Sequence, residues 1–153
     1  MTIIMNGLDI MFFYHYIHVL GLVIGMGSAI VIETIGFIAR KSGFWTRVAV
    51  DTHYVTKPLI WFGTILLSLS WILIMESDAI VHPYYWKTLL LLLLIINGSY
   101  LSFFVSPRII NHRKHSDGEP LPSKLQTIIL PSAIVSVLGW LLMVFLTLLY
   151  WNA

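Results

Sequence analysis

The sequence predicts an all-α integral membrane protein: a four-helix transmembrane bundle forming a single domain over residues 1–153. Three observations predict it. Hydrophobic residues make up 58% of the chain and charged residues 10%, with a mean hydropathy of +0.87. A soluble domain carries about 25% charged residues, so this chain has too little charge to cover a core in water. Four segments, at about 11–39, 58–75, 85–106 and 125–151, are apolar over lengths close to or above the ~20 residues a bilayer-spanning helix needs. Finally, the basic residues fall in two of the three connecting regions, as expected of loops on one side of a membrane. Only helices and closed barrels satisfy their backbone within lipid. Runs such as Leu89–Ile96 lack the alternation of a barrel strand, so helices are expected.

The first span opens after a segment with no basic n-region, and its apolar run exceeds that of a signal peptide, so it is expected to remain as a membrane helix. Thr56 is expected to cap the second helix, with Pro58 in its first turn. His82-Pro83 marks the turn before the third helix, and Pro107 is expected to end it. Pro131 either kinks a long fourth helix or starts a shorter one. The polar stretch from Asn111 to Pro120 reads as a loop.

Arg40, Lys41, Arg47 and Lys57 lie around the first loop, Arg108, Arg113, Lys114 and Lys124 around the third, and only Lys87 follows the second. The positive-inside rule puts the first and third loops in the cytoplasm and both termini outside. Aromatic residues gather at the outer ends of the spans: Phe12, Phe13, Tyr14, Tyr16, Trp71, Tyr84, Tyr85, Trp86, Tyr150 and Trp151. They read as an interfacial belt in contact with the lipid bilayer. The absence of cysteine excludes disulfides, thiolate zinc sites, iron–sulfur clusters and covalently attached haem. A net charge of +2 gives no reason to expect nucleic acid. Nucleophilic triads, phosphate-binding glycine loops, broken-helix pairs and inverted repeats are absent from the sequence.

Polar groups inside lipid are costly and each needs a reason. His15 and His18 sit in the outer part of the first span and Glu33 near its inner end. Gly21, Gly25 and Gly36 fall on the same helical stripe as His18. Such a stripe permits close helix packing, or a macrocycle lying flat while His18 binds its metal. Both histidines are on one helix, so a second axial ligand must come from elsewhere. His82, Met75 and Met143 lie at suitable depth, and His/Met ligation suits haem. Without a porphyrin, the imidazoles of His15, His18 and His82 suit copper or zinc. Lys87 could snorkel to water or bind an anionic group such as a haem propionate. Glu33 is expected either to pair with Lys57 or Arg108 or to relay protons. His53, His112 and His115 read as solvated loop residues. Asn97 is expected to bond across helices, and Gly98/Ser102 and Ser132/Ser136 read as small-residue packing faces.

Ile17-His18-Val19-Leu20-Gly21 followed by Gly25-Met26-Gly27 resembles the first-helix pattern of a group of small bacterial membrane proteins. The group includes the CopD copper-resistance domain, HemJ-type protoporphyrinogen oxidases and uncharacterised four-helix families. Trp86-Lys87-Thr88-Leu89-Leu90 is similar to those families too. Lys57-Pro58-Leu59-Ile60-Trp61-Phe62-Gly63 and Asn97-Gly98 with Val105-Ser106-Pro107 look most like an uncharacterised member family. The resemblance spans roughly the first 107 residues. It implies a bacterial inner-membrane location and a haem b, porphyrin or copper connection. His18 would be the haem- or metal-associated histidine and Lys87 the functional lysine. The expectation is a small redox or haem-handling membrane protein acting with a membrane redox partner or as a homo-oligomer. The alternatives are a non-enzymatic assembly subunit and a copper-handling protein.

Overall fold

The structure, a computed structural model, describes residues 7–77, 84–115 and 119–151. Its helices are α1 (Gly7–Ala39), α2 (Gly43–Ser77), α3 (Tyr84–Tyr100), α4 (Ser106–His115) and α5 (Ser123–Trp151). A π-helical turn, Leu101–Val105, joins α3 to α4 in one rod. Four stretches are long and apolar enough to cross a membrane: Ile10–Ala39, Gly43–Glu76, Tyr85–His112 and Ser123–Leu149. The protein is a multi-pass membrane protein with a four-helix bundle.

The helices run up and down. His18 near the start of α1 meets Ser70 near the end of α2 and Thr147 near the end of α5. Trp71 Nε1 donates to Thr88 Oγ1 near the start of α3, at 3.0 Å. One half of the bundle thus holds the start of α1 and the end of α5, and is called the terminal half below. The basic half holds the Arg40–Ser42 link and α4. Thr46 Oγ1 ties that link together by donating to Ala39 O and Ser42 O, each at 3.1 Å.

The core is a ladder of buried side chains including Leu22, Leu67, Trp71, Leu94, Trp140 and Met143. Lipid is as apolar as leucine, so burying these groups gains little from water exclusion; close packing and hydrogen bonds hold the helices together. The closest seam is between α1 and α2. A Cβ on Gly21 would stand 2.7 Å from Leu67 N and 2.8 Å from Gly63 O, and one on Gly63 would stand 2.6 Å from Gly25 Cα. The outward faces carry Phe12, Val23, Ile65, Ile72, Leu89, Ile96, Leu138 and Leu148, all exposed, as a lipid-facing surface requires.

Several boundaries differ from the sequence expectation. The second helix begins at Gly43, well before Thr56, and Pro58 lies inside it. Thr56 Oγ1 donates back to Thr52 O at 3.0 Å instead of capping a helix start. Pro107 does not end the third span. The Ser106 N–H bonds to Leu101 O, five residues back. In that register Pro107 would serve Ser102 O, but proline has no N–H. Lys57 Nζ supplies the missing donor to Ser102 O at 3.1 Å. The helix therefore continues to His115, and residues 111–115 are not loop. α5 runs unbroken through Pro131, which resolves that ambiguity in favour of one long helix.

Candidate functional site

Most of the residues picked out on the first helix and its neighbours meet in the terminal half. His18 is 1% exposed. Its Nδ1 lies 3.0 Å from Ser70 Oγ. Ser70 has one hydroxyl proton, and Leu67 O accepts it at 3.0 Å. With that proton on Leu67 O, Ser70 accepts from His18 Nδ1; with it turned to the imidazole, Nδ1 accepts and Nε2 carries the hydrogen. Nε2 faces Thr147 Oγ1 at 3.5 Å. Thr147 commits its proton to Met143 O at 2.8 Å. The site thus holds the imidazole between two hydroxyls, with Nδ1 at Ser70 and Nε2 at the α5 wall.

Lys87 is 3% exposed and does not snorkel to water. Its Nζ stands 4.4 Å from the centroid of the Trp71 ring. That ring lies 6.0 Å from the His18 ring, tilted by 43°. Trp71 is accordingly a core residue between His18 and Lys87, not part of the interfacial belt. Phe12, Phe13, Tyr16, Tyr85 and Trp86 do face outward, as a belt should. Met143, 1% exposed, lies one turn from Thr147 on the face that meets His18. Met75 is exposed, and its sulfur receives a weak bond from Thr88 Oγ1 at 4.0 Å. His15 Nδ1 donates to Met11 O within α1 at 2.8 Å. His82 lies outside the described residues. Among the described residues no group of three or more His, Cys, Asp or Glu side chains is placed to hold a metal ion.

Gly21 and Gly25 do not offer an open floor. Gly21 is covered by the α2 backbone, and a Cβ on Gly25 would meet Trp140 Cη2 at 2.5 Å. The stripe takes the packing role. Gly36, further down it, has nothing within 4 Å of its Cβ position.

The basic half holds a second group of polar residues around a cavity of about 140 Å³. Glu33 lines it together with Ser136 of α5. The expected partner Lys57 is engaged at Ser102 O, and Arg108 is exposed. His53 and Trp61 join Lys57 on one face of α2. His53 Nε2 lies 2.8 Å from Ser106 Oγ, and Trp61 Nε1 donates to Ser102 Oγ at 3.0 Å. His53 is therefore not a solvated loop residue: α2 starts early enough to carry it into the bundle. His112 likewise sits on α4, its Nε2 buried and without a partner. Asn97 bonds across helices as expected, donating from Nδ2 to Ser132 O at 3.0 Å and accepting from Ser132 Oγ. Gly98 and Ser102, expected to pack, line the cavity instead, and a Cβ on Gly98 would meet nothing within 4 Å.

Sequence reasoning missed Ser70 and Thr147, which hold the His18 ring, and the role of Trp71. A hydroxyl in an otherwise apolar helix was the available signal. It missed the His53, Lys57 and Trp61 face for a different reason. Their spacing of four is a helical stripe, visible only once α2 is known to begin before them.

The fold and these two clusters define a multi-pass membrane protein with a buried imidazole centre in one half and a polar-lined cavity in the other. No family model, curated protein or solved structure matches the chain.

Proposed function

We propose that the protein is a small redox-related protein of the bacterial inner membrane that takes a haem-type group at His18. The observation that carries this reading is a buried imidazole held at Nδ1 by Ser70, whose Nε2 would serve a metal once its proton stands on Nδ1. Lys87 supports a carboxylated group over a bare ion. Among the described residues Lys87 faces the Trp71 ring and no carboxylate, and a buried cation so placed costs several kcal/mol even after relaxation. A second cation at His18 would add to that cost, whereas a propionate near Lys87 would offset it. Space sets the opposite demand. The covered Gly21 and Gly25 cannot serve as a floor for the macrocycle. A ring bound at Nε2 would have to displace the end of α5 around Met143 and Thr147. A copper ion would need only a turn of the Thr147 side chain, with Met143 as a neighbouring soft ligand. The charge argument favours haem, so copper is the second reading.

The same packing weakens the assembly-subunit reading, because Gly21 and Gly25 are covered inside the bundle and offer no face to a partner. The distribution of Lys and Arg supports cytoplasmic links at the basic half and termini outside. A reporter enzyme that is active only outside the cytoplasm, fused to the C-terminus, is expected to be active.

The test is titration of ferric protoporphyrin into detergent-purified protein, followed by absorbance, with copper content measured in parallel. Saturable binding near one haem per chain, lost in His18→Ala, is the expected result. Copper at stoichiometric content with no porphyrin binding selects the copper reading. Neither ligand in folded protein overturns both.

A further inference from the structure

We infer that the basic-half cavity is a binding site for the headgroup of a membrane-soluble para-quinone or its quinol. The site is separate from His18 and does not rest on the haem reading.

The size of the cavity comes first. At about 140 Å³ it is close to the ~150 Å³ engineered cavity that accepts benzene. It has room for one six-membered ring. An all-apolar cavity of that size stays dry, but this one has two poles. On α2, Lys57 spends one ammonium hydrogen on Ser102 O and keeps others to give. On α1, Glu33 presents a carboxyl group, with Ser136 of α5 also in the lining. The rest of the lining mixes apolar side chains, among them Ile60, Leu94 and Ile95, with polar ones such as His53, Thr64 and Asn97. A ring with an oxygen at each end satisfies both poles. One oxygen accepts from Lys57; the other, when it carries a hydrogen, donates to Glu33.

Two further features point to a site and not to a packing fault. Gly36 and Gly98 border the cavity from opposite helices, yet neither is required by packing, since a Cβ on either would meet nothing within 4 Å. In a helix interior glycine costs roughly 0.5–1 kcal/mol against alanine. Here what it gains is open volume. The π-turn Leu101–Val105 forms another wall, and such turns are found frequently at functional sites. α2 has few close backbone contacts with α3 and α4 compared with its long seam against α1, so side chains such as His53, Lys57 and Trp61 make the closure there.

The test uses the full chain in phosphatidylcholine nanodiscs and a para-benzoquinone carrying a decyl tail. Trp61 and Trp140 line the cavity, so the quinone's quenching of tryptophan emission reads occupancy. The expected result is saturable quenching at one quinone per chain, reduced in Trp61→Phe and not competed by decylbenzene. Gly98→Leu should fill the cavity and abolish the saturable component while leaving the circular dichroism and melting temperature unchanged. Lys57→Met should weaken binding roughly tenfold, the scale of one hydrogen bond to a charged group, while Glu33→Gln should not weaken binding of the quinone, whose oxygens carry no hydrogen for Glu33 to accept. If Lys57→Met destabilises the π-turn, Gly98→Leu still decides the matter. Quenching that follows membrane partitioning alone, equal in wild type and Gly98→Leu, overturns the proposal and leaves a water-filled cavity.

Discussion

In the terminal half, Gly21, Gly25 and Gly63 let α1 and α2 touch backbone to backbone, and the space beside them is filled by Trp71, Trp140 and Met143. In the basic half, Gly36 and Gly98 touch nothing at their Cβ positions and border a cavity. The polar groups differ in the same way. His18 is enclosed, with both ring nitrogens facing hydroxyls. Glu33, His53 and Lys57 surround open volume. Glycine in a membrane helix therefore has two opposite uses, approach and vacancy, and the residue on the facing helix decides which applies.

Substitution at the glycines breaks this contrast most sharply. Gly63→Leu would drive a side chain into the Gly25 backbone. Backbone cannot step aside as a side chain can, so the α1–α2 seam should open, at a cost of about 3 kcal/mol or more. The expected outcome is loss of the monodisperse folded species in detergent gel filtration. Gly25→Ala should cost less, roughly 1–3 kcal/mol, because its clash is with the rim of the Trp140 ring, which can shift. Thermal melts in detergent would rank the two. Ser70→Ala should cost about 1–3 kcal/mol by leaving buried His18 Nδ1 without its partner. It should also change the tautomer balance, which nitrogen-15 shifts of the imidazole would report. The smallest effects belong to the basic half. Gly36→Ala and Gly98→Ala should be neutral or stabilising by up to about 1 kcal/mol, because helix propensity improves and nothing is displaced. A clear loss of stability at Gly98→Ala would show that the vacancy is not there.

Lys57 sharpens the comparison from another side. It completes the hydrogen bonding of a turn that Pro107 leaves one donor short. Lys57→Met should raise amide exchange around Leu101–Val105 and leave exchange around His18 unchanged. Equal effects in both halves would mean that the two are not independently built.

The helical spans and their number were legible because bilayer thickness and backbone satisfaction leave few alternatives. The ends were not. The residues from Gly43 to Lys57 are polar enough to look like a loop, yet they form the first turns of α2. Pro107 looked like a terminator because the sequence does not show that a lysine fifty residues earlier replaces its missing donor. His18 and Lys87 were legible as costly buried groups. Their setting was not: Ser70, Thr147 and Trp71 come from other helices, and periodicity within one helix says nothing about its neighbours. The glycines show the same limit. Gly21 and Gly98 are alike in sequence, and only the partner helix separates a contact from a cavity.

The most direct test of the account is the dithionite-reduced minus oxidised absorbance spectrum of protein purified from haem-replete cells, wild type against His18→Ala. The account predicts sharp reduced α and β bands with a Soret band in the wild type, and their loss in folded His18→Ala. A flat spectrum from both proteins, or an unchanged haem spectrum in His18→Ala, would contradict it.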